Sequence, residues 1–89
     1  MSRPAPHVIV YERSGCCLCE EALEALARVA ERVSFTLEQR DIEADERLLV
    51  KYLERIPVIV IDGRESFELI VDETALEGAL RNDQFRGNP

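Results

Sequence analysis

Three cysteines stand within four positions of one short segment, Ser14–Glu21 (SGCCLCEE): Cys16, Cys17 and Cys19. Two chemistries compete for such a cluster. Cys16 and Cys19 form a Cys-x-x-Cys pair suited to thiol–disulfide exchange, whereas three thiolates together are a ligand set for a metal ion or an iron–sulfur cluster. A domain that only binds, with thiols that never turn over, is the third reading.

Spacing separates the three sulfurs. Residues three apart on a helix are surface neighbours, roughly 5–6 Å apart, a span that a disulfide bridges; adjacent residues diverge by about 100°. Cys16 and Cys19 can therefore close a ring that Cys16 and Cys17 cannot close without strain. Free backbone N–H groups and the macrodipole at a helix N-terminus favour a thiolate, the form that attacks a disulfide. Cys16 stands where that effect is greatest. Arg13 and Arg55 would lower its pKa and the acidic first turn, Glu20 and Glu21, would raise it.

A strand and a helix must meet at this segment. His7–Tyr11 (HVIVY) is a β-branched run of the kind buried on both faces of a sheet, and Arg13, Ser14 and Gly15 end it. From about Cys17 to Val33 the period is helical, with Cys19, Ala22, Leu23, Leu26, Val29, Ala30 and Val33 on one face. Cys17 falls among the glutamates opposite. Cys19 is thus expected to be buried and to act second, and Cys17 to be exposed and dispensable for exchange.

Further along, Ser34–Ile42 alternates as a strand with one side partly wet, Phe35 and Leu37 on its inner face. Asp45 caps a helix with the stripe Leu48, Leu49, Tyr52 and Leu53. Val58–Ile61 is a second buried run, and Asp62-Gly63 is a type I′ hairpin signal returning Arg64–Ile70 antiparallel. Asp72 caps the last helix, with Val71 and Leu76 as its hydrophobic staple and Leu80 further along the stripe. Residues 81–89 are polar and expected as a flexible tail. The sum is an α/β chain, βαβ followed by ββα, with a four-stranded mixed sheet and three helices.

Composition narrows the partners. The chain has 89 residues, enough for one domain spanning residues 1–89, and a net charge of −7. Nucleic acid and anionic membrane surfaces need basic patches, and Lys and Arg are scattered singly here. No segment has the apolar length of a signal peptide or a membrane span, so the protein is expected in the cytoplasm. His7 adds little to a metal reading, because it opens the first strand, roughly 15 Å from the cysteines at 3.3 Å per residue.

Strand, SGCCLC, helix, then RIPVIV, a DG hairpin and VDETAL: this series resembles the thioredoxin fold and, within it, the small glutaredoxin-like proteins. The likeness runs from about Val8 to Leu80. It implies a thiol–disulfide oxidoreductase with a redox-active disulfide and an electron-transfer role, with Cys16 as nucleophile and Cys19 as resolving thiol. It also implies a cis peptide bond at Pro57, pairing of the Ile56 backbone with a bound cysteine, and substrate contacts from Ile56, Pro57 and Asp72; Arg55, which neighbours Ile56-Pro57, and Arg13 are further candidate substrate contacts by position alone. No resident cofactor or metal follows from it. Glutathione enters as a co-substrate, and the partners are a protein or small-molecule disulfide and a glutathione- or thioredoxin-reductase-type reductant, met by a monomer. The chain departs from glutathione-binding members at three places. Cys17-Leu18 replaces a Pro-Tyr-like pair, Arg55-Ile56 replaces Thr-Val, and Leu69-Ile70 replaces a Gly-Gly, whereas Asp72-Glu73 keeps the acidic end of that site. A tryptophan before the cysteine pair, as thioredoxins have, is absent.

Overall fold

The computed structural model describes residues 5–85. Seven main elements follow in order: β1 His7–Glu12, α1 Cys17–Val29, β2 Thr36–Asp41, α2 Glu46–Tyr52, β3 Val58–Ile61, β4 Arg64–Glu68 and α3 Glu73–Phe85. A 3₁₀ turn, Ile42–Ala44, leads into α2. The sheet order is β2-β1-β3-β4, with β1 parallel to β2 and antiparallel to β3, and β3 antiparallel to β4. This is the four-stranded, three-helix α/β architecture of the thioredoxin fold.

Alternation along the central strands divides the core in two, since successive strand side chains point to opposite faces. Val8 and Val10 of β1, with Ile59 and Ile61 of β3, pack on Ala22, Leu26 and Val29 of α1 and Leu76 and Leu80 of α3. Val58 and Val60 face the other way, with Tyr11, Ile42, Tyr52, Ile56 and Cys19. Burying each large side chain contributes roughly 1.5–3 kcal/mol. The second cluster is where a cysteine enters the core.

Local signals place the element ends. Asp45 accepts the Arg47 N–H at 2.8 Å and Asp72 accepts the Ala75 N–H at 3.1 Å, capping α2 and α3. Asp62 and Gly63 both have positive φ, 49° and 85°, as the hairpin requires. Across the helical layer, Arg28 of α1 and Arg32 of the turn that follows it bridge to Glu73 and Glu77 of α3.

Four expectations need correction. Helix α1 stops at Val29, not Val33: the Arg32 and Val33 amides both donate back to the Val29 carbonyl, closing a tight turn that still buries Val33. Strand β2 is an edge, so Leu37 remains 43% exposed where an inward side chain was expected. Strand β4 ends at Glu68, because Leu69 turns into the left-handed region. Helix α3 continues through residues 81–85, and Arg81 pairs with Glu77 one turn back. The rest of the expected tail, 86–89, lies outside the described residues. Among the described residues no helix is long and apolar enough to cross a membrane.

Candidate active site

Gly15, with φ of 79°, turns the chain from β1 into α1 and leaves Cys16 as the N-cap residue in extended conformation. Its sulfur occupies the position that a serine or aspartate oxygen commonly fills, accepting the Cys19 N–H at 3.1 Å. A sulfur held there in the thiolate state gains a backbone hydrogen bond and the positive end of α1. Cys16 and Cys19 are joined as a disulfide, their Cα atoms 5.2 Å apart.

The pair is unequal. Cys16 is half-buried, whereas Cys19 is 1% exposed within the second apolar cluster; Cys17 is a free, exposed thiol. The helix geometry alone produces this split. Among the described residues, no group of three His, Cys, Asp or Glu side chains is placed to hold a metal ion.

Ile56 belongs to the cluster that contains Cys19, and Cys16 packs against that cluster. The Ile56–Pro57 peptide bond is cis, and Pro57 is fully buried. Among the described residues, no backbone hydrogen bond outside the regular elements uses the Ile56 amide or carbonyl. The Leu69 N–H straddles the pair instead, donating to Pro57 O at 3.0 Å and Arg55 O at 3.2 Å. Leu69 does so at φ of 66°, a conformation that costs a non-glycine residue roughly 1–2 kcal/mol.

The two arginines are engaged. The Arg55 guanidinium binds Glu65 and Glu68 of β4 and lies 5.3 Å from the Tyr52 ring centre. Those two carboxylates raise its pKa further above the ordinary range. Arg13 pairs with Glu43 of the 3₁₀ turn at 3.0 Å. Asp72 spends its carboxylate on capping α3. Of the candidate residues, Cys16, Cys19 and Ile56 meet in one apolar cluster, Pro57 follows Ile56 in the chain, Arg55 is directed toward Glu65 and Glu68, Arg13 toward Glu43, and Asp72 caps α3.

Glu12 is not among the site residues expected from the sequence. Glu12 ends β1 opposite Asp41 of β2, and its Oε2 is buried without a hydrogen-bond partner among the described residues. Burial first, and the Asp41 charge second, raise its pKa. The ionised form is therefore disfavoured in the fold relative to the unfolded chain, so a neutral side chain stabilises above the raised pKa and loses that advantage below the unfolded value. Glu12→Gln is expected to raise the Tm at pH 7, by about 4–8 °C for each kcal/mol recovered, with the gain vanishing as the pH falls to 4. Thermal unfolding across pH 4–8 measures it. The only sequence signal was a charged residue at the end of a buried run.

Residues 7–82 match the family described as glutaredoxin-like domain (DUF836). The uncharacterized protein Rv0508 of Mycobacterium tuberculosis is 30% identical over 94 residues, covering 100% of this chain and 95% of its own length. The solution structure of protein Ne2328 from Nitrosomonas europaea superposes with a TM-score of 0.77 at 28% identity, over 90% of this chain and 96% of that one. A thioredoxin variant from Halobacterium salinarum shares the fold alone, with a TM-score of 0.69 at 19% identity over 97% of this chain and 80% of its own. The family match spans the segment carrying the cysteine pair, and the chain, which has the thioredoxin fold, belongs to the glutaredoxin-like domain family (DUF836).

Proposed function

We propose that this protein is a thiol–disulfide oxidoreductase that cycles Cys16 and Cys19 between dithiol and disulfide. The observation that carries the reading is the asymmetric pair: Cys16 at the helix cap, half-buried and bonded to the Cys19 amide, and Cys19 beneath it in the core. In the reduced protein the Cys16 thiolate attacks a substrate disulfide. One Cys16–substrate S–S bond forms as the substrate's own breaks, and the first substrate thiolate leaves and takes a proton from water. The Cys19 thiolate then attacks the Cys16 sulfur, expelling the second substrate thiolate and closing Cys16–Cys19. Two electrons have passed from protein to substrate, and an external dithiol restores them. Ile56, with an unengaged backbone beside the pair, holds the incoming cysteine, and Pro57 walls the site.

Arg55 contributes less charge here than its position implies, because two glutamates neutralise it. The proposed setting is cytoplasmic, with no resident cofactor.

Equilibration of the isolated protein in dithiothreitol redox buffers tests the reading. Three free thiols are expected when reduced and one, Cys17, when oxidised, in a single two-electron transition with a 2 Da mass change. Failure of the Cys16–Cys19 bond to form at any buffered potential would sink it. Stoichiometric zinc or visible absorbance in protein purified without added metal would replace it with the cluster-binding alternative.

A further inference from the structure

We propose that Leu18, Leu69 and Ile70 form an acid-rimmed apolar docking surface beside the cysteine pair, fitted to an extended peptide whose reactive cysteine is flanked by apolar and basic residues rather than to glutathione. This rests on the oxidoreductase reading and names the substrate class. Leu18 lies between the two cysteines, and Leu69 is pinned across Ile56-Pro57 by its two amide hydrogen bonds. All three side chains meet solvent, at 37%, 41% and 78% exposure, whereas the apolar residues Cys19, Ile56 and Pro57 beside them are buried. Adjacent apolar groups left exposed, as Leu69 and Ile70 are, mark an interaction surface more often than a solvated one.

Backbone conformation keeps the surface in place. A leucine at positive φ is held against its own preference by a bifurcated hydrogen bond, which sets Leu69 and Ile70 outward from the turn. The rim supplies the charge selection. Glu20, next to Cys19, Glu68, next to Leu69, and Asp72, two residues after Ile70, are all exposed, and Arg55, whose carbonyl accepts the Leu69 amide, has one positive charge met by two carboxylates. Glutathione and its disulfide carry net negative charge and need a free cation that the described residues around this surface do not offer. A lysine- or arginine-bearing peptide gains from the same field, and its apolar side chains cover Leu69 and Ile70.

Single-turnover reduction of four disulfides by the dithiol protein provides the test. The substrates are a Leu-Cys peptide disulfide with lysine flanks, the same peptide with glutamate flanks, glutathione disulfide and neutral bis(2-hydroxyethyl) disulfide. At low ionic strength the lysine peptide is expected to react about tenfold faster than the glutamate peptide and than glutathione disulfide, with the difference shrinking in 0.5 M salt. Glu68→Lys should reduce the lysine-to-glutamate ratio, and Ile70→Ser should reduce the ratio of lysine peptide to neutral disulfide. Equal rates with either peptide, or glutathione disulfide as the fastest substrate, would overturn the docking surface while leaving the oxidoreductase standing. No reduction of even the neutral disulfide would overturn both.

Discussion

Cys16→Ser is expected to lower disulfide turnover by about 10³-fold or more, because a serine hydroxyl is not ionised near neutral pH and no other sulfur occupies the helix cap. Cys17→Ser, on the exposed side of α1, should leave turnover within about twofold, the size of change usual for a solvated substitution away from the reacting atoms. Cys19→Ser is the informative third member. It retains the attacking sulfur and removes the resolving one, so the mixed disulfide should accumulate and appear in intact-mass spectra as a substrate adduct on Cys16. Cys19→Ala, which places no hydroxyl in the core, should trap the same adduct. Equal loss in all three positions would mean that the sulfurs act as one ligand set, and the sequential mechanism would fall.

The second large effect is on stability. Leu26→Ala is expected to cost about 3 kcal/mol, lowering the Tm by about 12–24 °C in a domain of this size. Leu26 has no solvent exposure and sits where α1 meets both central strands and α3, so the lost methyl groups leave a void that four elements cannot all close. Val50→Ala, on the outer side of α2 at 81% exposure, should change stability by less than about 0.5 kcal/mol. Urea titrations of the two variants give the comparison. A loss of less than 1 kcal/mol for Leu26→Ala would show that α1 is not anchored as packed. Because α1 presents Cys16 and Cys19 at its first turn, the same variant should also loosen the site it carries.

Much of this was legible before any coordinates, and for identifiable reasons. His7–Tyr11 and Val58–Ile61 are continuous apolar runs because the sheet covers them on both faces, and Asp62-Gly63 declares its own turn type. Asp45 and Asp72 mark helix starts through their hydrogen bonds to backbone amides. The wheel that separated Cys17 from Cys19 depended only on the helical period. The stop of α1 was less visible: no glycine or asparagine marks it, and Val33 continues the apolar stripe beyond the helix itself. Edge position also leaves no mark within a strand, so Leu37 in β2 reads like a core residue. Ile42, fully buried, sits in a 3₁₀ turn too short to show a period. Leu69 was hidden most deeply, since leucine gives no hint of positive φ; its standing in a glycine slot of the resembled family was the clue.

Tyr11 and Tyr52 stack with their ring centres 4.5 Å apart, in the same apolar cluster as Cys19 and Ile56, and the chain has no tryptophan. On the long-wavelength side of the weak bands of its three phenylalanines, the near-ultraviolet signal of this protein therefore comes from two coupled phenols and whatever disulfide is present, with no indole to mask them. Tyr11 rides on β1 and Tyr52 on α2, so their separation reports how α2 sits on the sheet. The molecule carries its own optical gauge of the region around the cysteine pair, readable without a label in either redox state.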